Sequence, residues 1–216
     1  MLVSLKHQFA FFSNPKCATT SIENYLKDHC EISITSTKLG KHLKPKNFKK
    51  LERVLKKEFK IGDITKICTA RHPVEKIISW YIYRSRPQLK TRKPDRYLGN
   101  TDFRSFCAES MQHAALDFFY EQERDACYVD YVVPIEHLTR LENFFSNTLG
   151  ISSKLPKRNT SKTSSKKDIS EYREIAAIEF RKASKTFINS VEKYNKILEC
   201  YNNSQHQQII KITSIA

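Results

Sequence analysis

Phe9-Ala10-Phe11-Phe12-Ser13-Asn14-Pro15-Lys16-Cys17-Ala18-Thr19-Thr20-Ser21-Ile22 is the stretch on which the reading of this chain turns. The short apolar run from Phe9 to Ser13 predicts a buried strand, and Asn14-Pro15 predicts the turn that ends it. Beyond the turn, Thr19, Thr20 or Ser21 can cap a helix with Ile22, Tyr25 and Leu26 on one face. A strand that turns directly into a helix is the opening unit of an α/β fold.

The same pattern recurs twice. Ile64 to Thr69 predicts a second strand, ending at Arg71-His72-Pro73, where Pro73 suits the first position of a helix carrying Ile77, Ile78 and Tyr81. Tyr131 to Ile135 predicts a third strand, followed by a helix with Leu138, Leu141, Phe144, Phe145 and Leu149 that Gly150 closes. Between and around these units, an amphipathic helix is expected with Phe48, Leu51, Val54, Leu55 and Phe59 on one face. Residues 87–101 read as a polar surface loop. Asp102 can cap a helix through Met111, and a further helix is expected over Ala114 to Glu123. A long helical stretch from Ser170 to about Leu198 follows, with a break near Ala183 to Lys185. Strands alternating with helices predict α/β architecture: a P-loop-like three-layer domain with a mainly parallel central sheet flanked by helices, spanning residues 1–200, and a polar tail over 201–216.

Composition narrows the functions. The 216 residues are 39% hydrophobic, which suits one folded core and not a disordered chain. No apolar run approaches the ~20 residues of a membrane span, and the first residues lack the pattern of a secretory signal, so a cytoplasmic protein without a membrane anchor is expected. Lysine and arginine number 38 against 23 acidic residues, a net charge of +15 that calls for an anionic partner or reflects a solvated lysine-rich surface. Ten basic and two acidic residues fall between Lys38 and Lys60, and six basic and no acidic ones between Lys154 and Lys167. Six scattered cysteines without a C-x-x-C pair read as reduced thiols, and the histidines show no metal-binding spacing, so no metal is expected.

In open α/β sheets, ligands bind beyond the carboxyl ends of the strands. The turn at Asn14 to Ser21 combines a helix N-terminus, which presents backbone N–H groups, with the Lys16 ammonium and three hydroxyls: a donor set for a phosphate or sulfate, or else an ordinary capped turn. It is not an ordinary P-loop. The chain has only four glycines and none between Asn14 and Ser21, and the second strand ends in Cys68-Thr69-Ala70-Arg71 without an aspartate to hold magnesium. Arg71 at that strand end offers a planar two-pronged grip for an oxyanion, and Ser79 follows two helical turns on.

These residues resemble the sulfotransferases that use 3′-phosphoadenosine 5′-phosphosulfate (PAPS). Phe12 to Ile22 is similar to their 5′-phosphosulfate-binding loop, and Thr69 to Pro73 with Ile78-Ser79-Trp80-Tyr81 is similar to their 3′-phosphate-binding segment. Tyr131 to Leu138 and Leu155 to Ser161 resemble the strand–helix unit and nucleotide-covering loop of the carbohydrate-type branch. The chain departs from that pattern at His72, where an acidic residue or asparagine is usual, and at Pro134, where arginine or tyrosine is commoner.

The resemblance implies that Pro15, Lys16, Cys17, Ala18, Thr19, Thr20 and Ser21 hold the 5′-phosphosulfate, that Arg71 and Ser79 hold the 3′-phosphate, and that Asn159, Ser161 and Lys162 close over the nucleotide. Lys16 is then the cation on the leaving group, and His42 the general base, with Glu23 as the alternative base. PAPS is the implied donor, and the implied partner is a hydroxyl acceptor, a saccharide that carries its own negative charge in the fullest version. Three other readings stand beside this one: a P-loop-like nucleotide kinase, a basic nucleic-acid-binding module without catalysis, and a binding protein that keeps the nucleotide cleft without turnover. The sulfotransferase reading itself expects no nucleic-acid partner.

Overall fold

The computed structural model describes residues 1–156, 166–204 and 208–212. Its strands are β1 (Leu2–Ser4), β2 (Phe9–Phe12), β3 (Ile32–Ser33), β4 (Thr65–Ala70), β5 (Tyr120–Glu121), β6 (Ala126–Cys127) and β7 (Tyr131–Pro134). Its α-helices are α1 (Thr19–Leu26), α2 (Lys49–Phe59), α3 (Pro73–Arg84), α4 (Gln88–Arg92), α5 (Phe103–Ser110), α6 (Leu138–Leu149), α7 (Lys166–Phe180) and α8 (Lys185–Asn203). The chain divides into two compact units, each assembled from separated segments: Met1–Arg71, Leu116–Arg158 and Asn195–Ala216 in the first, His72–Ala115 and Asn159–Tyr194 in the second.

The first unit is α/β. Its five-stranded sheet has the order β3-β1-β2-β4-β7 and is mixed, not wholly parallel. β2, β4 and β7 run parallel, while β1 is antiparallel to both β2 and β3. All four residues of β2 are buried, as are the last four of β4, as befits central strands covered on both faces. Phe9 packs on Phe145 of α6 with ring centroids 5.1 Å apart, and Phe12 meets Phe48 edge-on at 5.2 Å. The register pairs Phe12 with Cys68, and Ala70 with Pro134, so the carboxyl ends of the three parallel strands lie side by side. Pro134 sits on the terminal strand of the sheet, where a missing N–H is tolerated.

The second unit is helical, built on Ile77 and Ile78 of α3, Phe103, Phe106 and Cys107 of α5, and Phe187 of α8. Asp102 caps α5, accepting from the Ser105 N–H at 2.9 Å and from its hydroxyl at 2.8 Å. The expected break between α7 and α8 falls at Ser184, whose hydroxyl accepts the Phe187 N–H at 3.2 Å.

Four sequence expectations are corrected. Ala114 to Glu123 is not a helix: it contains buried Leu116, Phe118 and Phe119 and the first strand of a small hairpin, β5 with β6. Consecutive aromatics favour extended backbone, and Asp125, with a left-handed φ of 44°, turns the hairpin. Residues 87–101 hold the short helix α4, anchored by buried Leu89. At α2, the N-cap Phe48 and Leu55 within the helix are buried as expected, but Val54 and Phe59 are exposed. No hydroxyl caps α1, because its N-cap is Ala18 in the left-handed region and the three hydroxyl residues already lie within the helix.

Candidate functional site

The site lies at the carboxyl end of β2, in the first unit. Ser13 and Asn14 leave the strand buried, and the chain then passes through Lys16 at φ 65° and Ala18 at φ 59° before α1 begins. Left-handed backbone is strained for residues that carry a Cβ, and neither residue is glycine. Cys17 between them is not left-handed. Alternating handedness over successive residues curls their N–H groups toward one concave side, a shape that accepts an anion.

β4 holds this loop in place. Asn14 Nδ2 donates to the Thr69 carbonyl at 2.9 Å, and Thr69 Oγ1 donates to the Cys17 carbonyl at 2.6 Å. Arg71 Nη1 reaches the Lys16 carbonyl at a longer 3.4 Å. Thr69 and Cys17 are fully buried. Among the described residues, the buried Asn14 Oδ1 and Arg71 Nε have no hydrogen-bond partner.

His42 completes the cluster. Its Nδ1 lies 2.6 Å from the Ser13 carbonyl oxygen, and a carbonyl can only accept, so Nδ1 carries the proton and the neutral ring keeps its lone pair on Nε2. Burial lowers the His42 pKa from the ordinary imidazole value; Lys41 and the Met1 amino group push the same way, while the Ser13 carbonyl and Glu23 oppose them. Neutral His42 is therefore the favoured form at pH 7.

Glu23, on α1, is buried, and both its oxygens are engaged. Oε1 accepts the Ser13 hydroxyl at 2.6 Å and Oε2 pairs with Lys41 Nζ at 2.6 Å. The Met1 amino nitrogen donates to Ser13 Oγ at 3.1 Å and to the carbonyls of Ile34 and Lys41 at 2.9 Å.

The first unit thus brings together Pro15 to Ser21, Glu23, His42 and Arg71. In the first turn of α1, Thr19 and Ser21 are buried and Thr20 is exposed. Ser79 lies on α3 in the second unit, where His72 packs its ring edge-on against Tyr194 at 5.5 Å. Asn159, Ser161 and Lys162 lie outside the described residues. The sequence reading gives no role to the side chains of Ser13, Asn14 and Thr69, which hydrogen-bond within and beside the turn. Their signal was a polar side chain at or just beyond the carboxyl end of an otherwise apolar strand.

Lys49, Lys50, Arg53 and Lys57 of α2 are exposed and share about a third of the helix circumference, with no acidic residue among them, while Glu52 of the same helix pairs with Lys66 near the amino end of β4. Among the described residues, no group of three or more His, Cys, Asp or Glu side chains could hold a metal ion, and no helix is long and apolar enough to cross a membrane. None of the six cysteines is in a disulfide among the described residues.

No protein-family model, curated protein or solved structure matches the chain. The geometry and the motif resemblance therefore carry the functional reading.

Proposed function

We propose that this protein is a PAPS-dependent sulfotransferase with a P-loop-like nucleotide site, transferring a sulfuryl group to a hydroxyl acceptor, a saccharide in the reading the motifs favour. The observation that carries it is the left-handed pair Lys16 and Ala18, fixed by Thr69 and Asn14 at the end of β2 with no glycine to ease the turn. A loop strained in this way and still held in place is a device for presenting donors to an anion. The neighbouring Arg71, with its unpartnered Nε, suits a second phosphate on the same ligand.

The chemistry follows from these groups. The acceptor oxygen attacks sulfur in line, the sulfur–oxygen bond to the 5′-phosphate breaks, and the acceptor proton passes to His42 Nε2. Negative charge grows on the departing phosphate oxygen, and Lys16, with the loop N–H groups, stabilises it there more than in the ground state. Glu23 is already engaged by Ser13 and Lys41, which favours His42 over it as the base. The net charge of +15 supports an acceptor that itself carries negative charge.

The test is calorimetric titration with adenosine 3′,5′-bisphosphate. Binding that plain AMP does not reproduce and that Arg71→Ala weakens supports the reading. Failure of the bisphosphate to bind refutes it. Magnesium-dependent ATP turnover would favour the kinase instead, and tight salt-sensitive binding of mixed-sequence DNA or RNA the nucleic-acid module.

A further inference from the structure

We infer that Glu23 is a positioning residue whose carboxylate ties Ser13 to Lys41 and so locks His42 with Nδ1 protonated and Nε2 bare. This rests on the reading of His42 as the base. Imidazole free in water prefers the other tautomer, with the proton on Nε2, which would turn a donor and not a lone pair toward an acceptor hydroxyl. What reverses that preference is the Ser13 carbonyl, 2.6 Å from Nδ1.

That carbonyl is useful only if Ser13 and His42 keep their relative place, and each is tied to the same carboxylate. Ser13 is held through its own hydroxyl, which donates to Glu23 Oε1 at 2.6 Å. His42 is held through its chain neighbour, since Lys41 Nζ meets Glu23 Oε2 at 2.6 Å. The carboxylate thus spans the two segments that bear the imidazole and its acceptor. It is almost wholly buried, with its side chain 5% exposed against 15% for Lys41, so water competes little for either bond.

The same arrangement sets the charge that His42 feels. The charged groups facing it are Glu23, Lys41 and the Met1 amino group. Glu23 favours the imidazolium; Lys41 disfavours it, as does the Met1 amino group while protonated, which burial brings down to about 6. Removing the carboxylate charge must therefore move the His42 pKa down, and removing the Lys41 charge must move it up. A residue that only filled space would do neither.

The experiment is nitrogen-15 and carbon-13 NMR of the imidazole rings in the full chain, titrated with pH, with His42 assigned by its disappearance in His42→Gln. In the wild type we expect His42 above its pKa to be chiefly the Nδ1–H tautomer. Glu23→Gln should shift the tautomer balance toward Nε2–H and lower the pKa; Lys41→Met should raise the pKa. A wild-type His42 that is chiefly Nε2–H overturns the inference, as does a folded Glu23→Gln protein whose His42 keeps its tautomer and pKa. Should Glu23→Gln fail to fold, Lys41→Met decides by the direction of its shift, and an unchanged or lowered pKa overturns the inference. Titration of the same samples with adenosine 3′,5′-bisphosphate separates the two layers. Lost binding in the wild type refutes the donor reading, while the tautomer and pKa results judge the clamp by themselves.

Discussion

Replacing Thr69 with valine removes one hydroxyl from a fully buried position and leaves the side chain about the same size. That hydroxyl donates to the Cys17 carbonyl at 2.6 Å, and it is one of two short bonds by which β4 fixes the strained turn. Losing a buried bond of this kind costs about 1–3 kcal/mol. The loss can appear in two places. If the turn keeps its shape, the whole deficit falls on global stability, and at about 2–4 °C per kcal/mol for a chain of this size the melting temperature drops by several degrees. If the turn frays locally, stability falls less, and the donor nucleotide must order the turn when it binds, weakening affinity by roughly 5-fold to 100-fold at about 1.4 kcal/mol per decade. Calorimetric melting and adenosine 3′,5′-bisphosphate titration on Thr69→Val and Thr69→Ser measure both terms. The serine variant keeps the hydroxyl and should retain most of the affinity. A valine variant with unchanged melting temperature and unchanged affinity would refute the claim that β4 holds the site.

Lys16→Ala should abolish sulfuryl transfer while the far-ultraviolet circular dichroism stays that of the wild type; undiminished turnover would exclude Lys16 as the leaving-group cation. His42 gives a pH dependence of defined sign. Its folded pKa lies below that of the unfolded chain, so the unfolded state binds the extra proton. Its contribution to stability is therefore complete above the ordinary imidazole value near 6.5 and is lost as pH falls through that value toward the lowered folded one. Urea titrations between pH 5 and 8 should show a steeper slope in the wild type than in His42→Ala, which keeps the slope of the Met1 amino group that burial pushes down to about 6. In the second unit, Ser105 holds the Asp102 carboxyl below the usual range, through its backbone N–H first and its hydroxyl second. Asp102→Ala should lower the melting temperature at pH 7 and reduce the difference as pH falls through the carboxylate range, a pattern that melting curves at pH 3 and pH 7 would reveal.

The parts of the fold that the sequence reveals are those with a local cause. β2 is an apolar run stopped by Asn14-Pro15, β4 ends at Arg71-His72-Pro73, and β7 covers the expected strand except Ile135; each is followed by the expected helix. β1 and β3 leave no such trace, because strands of three and two residues are too short to show a period. They exist because β2 offers an edge for β1 to pair with, which is a tertiary cause. The error at Ala114 to Glu123 has the same origin: buried Phe118 and Phe119 follow their packing, not their helical spacing. Within the site, Lys16, Arg71 and His42 stand out by residue type. The ring orientation of His42 does not, since it depends on a carbonyl 29 positions away.

The left-handed turn shows most plainly why the site could be located but not shaped from sequence. Lys16 and Ala18 carry no mark of left-handed backbone, which sequence normally signals with glycine or asparagine. Each costs about 1–2 kcal/mol in that conformation. The bonds from Asn14, Thr69 and Arg71 return about 0.5–1.5 kcal/mol apiece, which is of the same size. The turn is thus close to balance, held by tertiary bonds to the neighbouring strand instead of by glycines of its own. A glycine loop would adopt the shape freely and lose more entropy on binding. This loop has met that cost on folding; on the proposed reading an anion would therefore find the turn already shaped, and the rigidity of β4 would become part of the affinity for it.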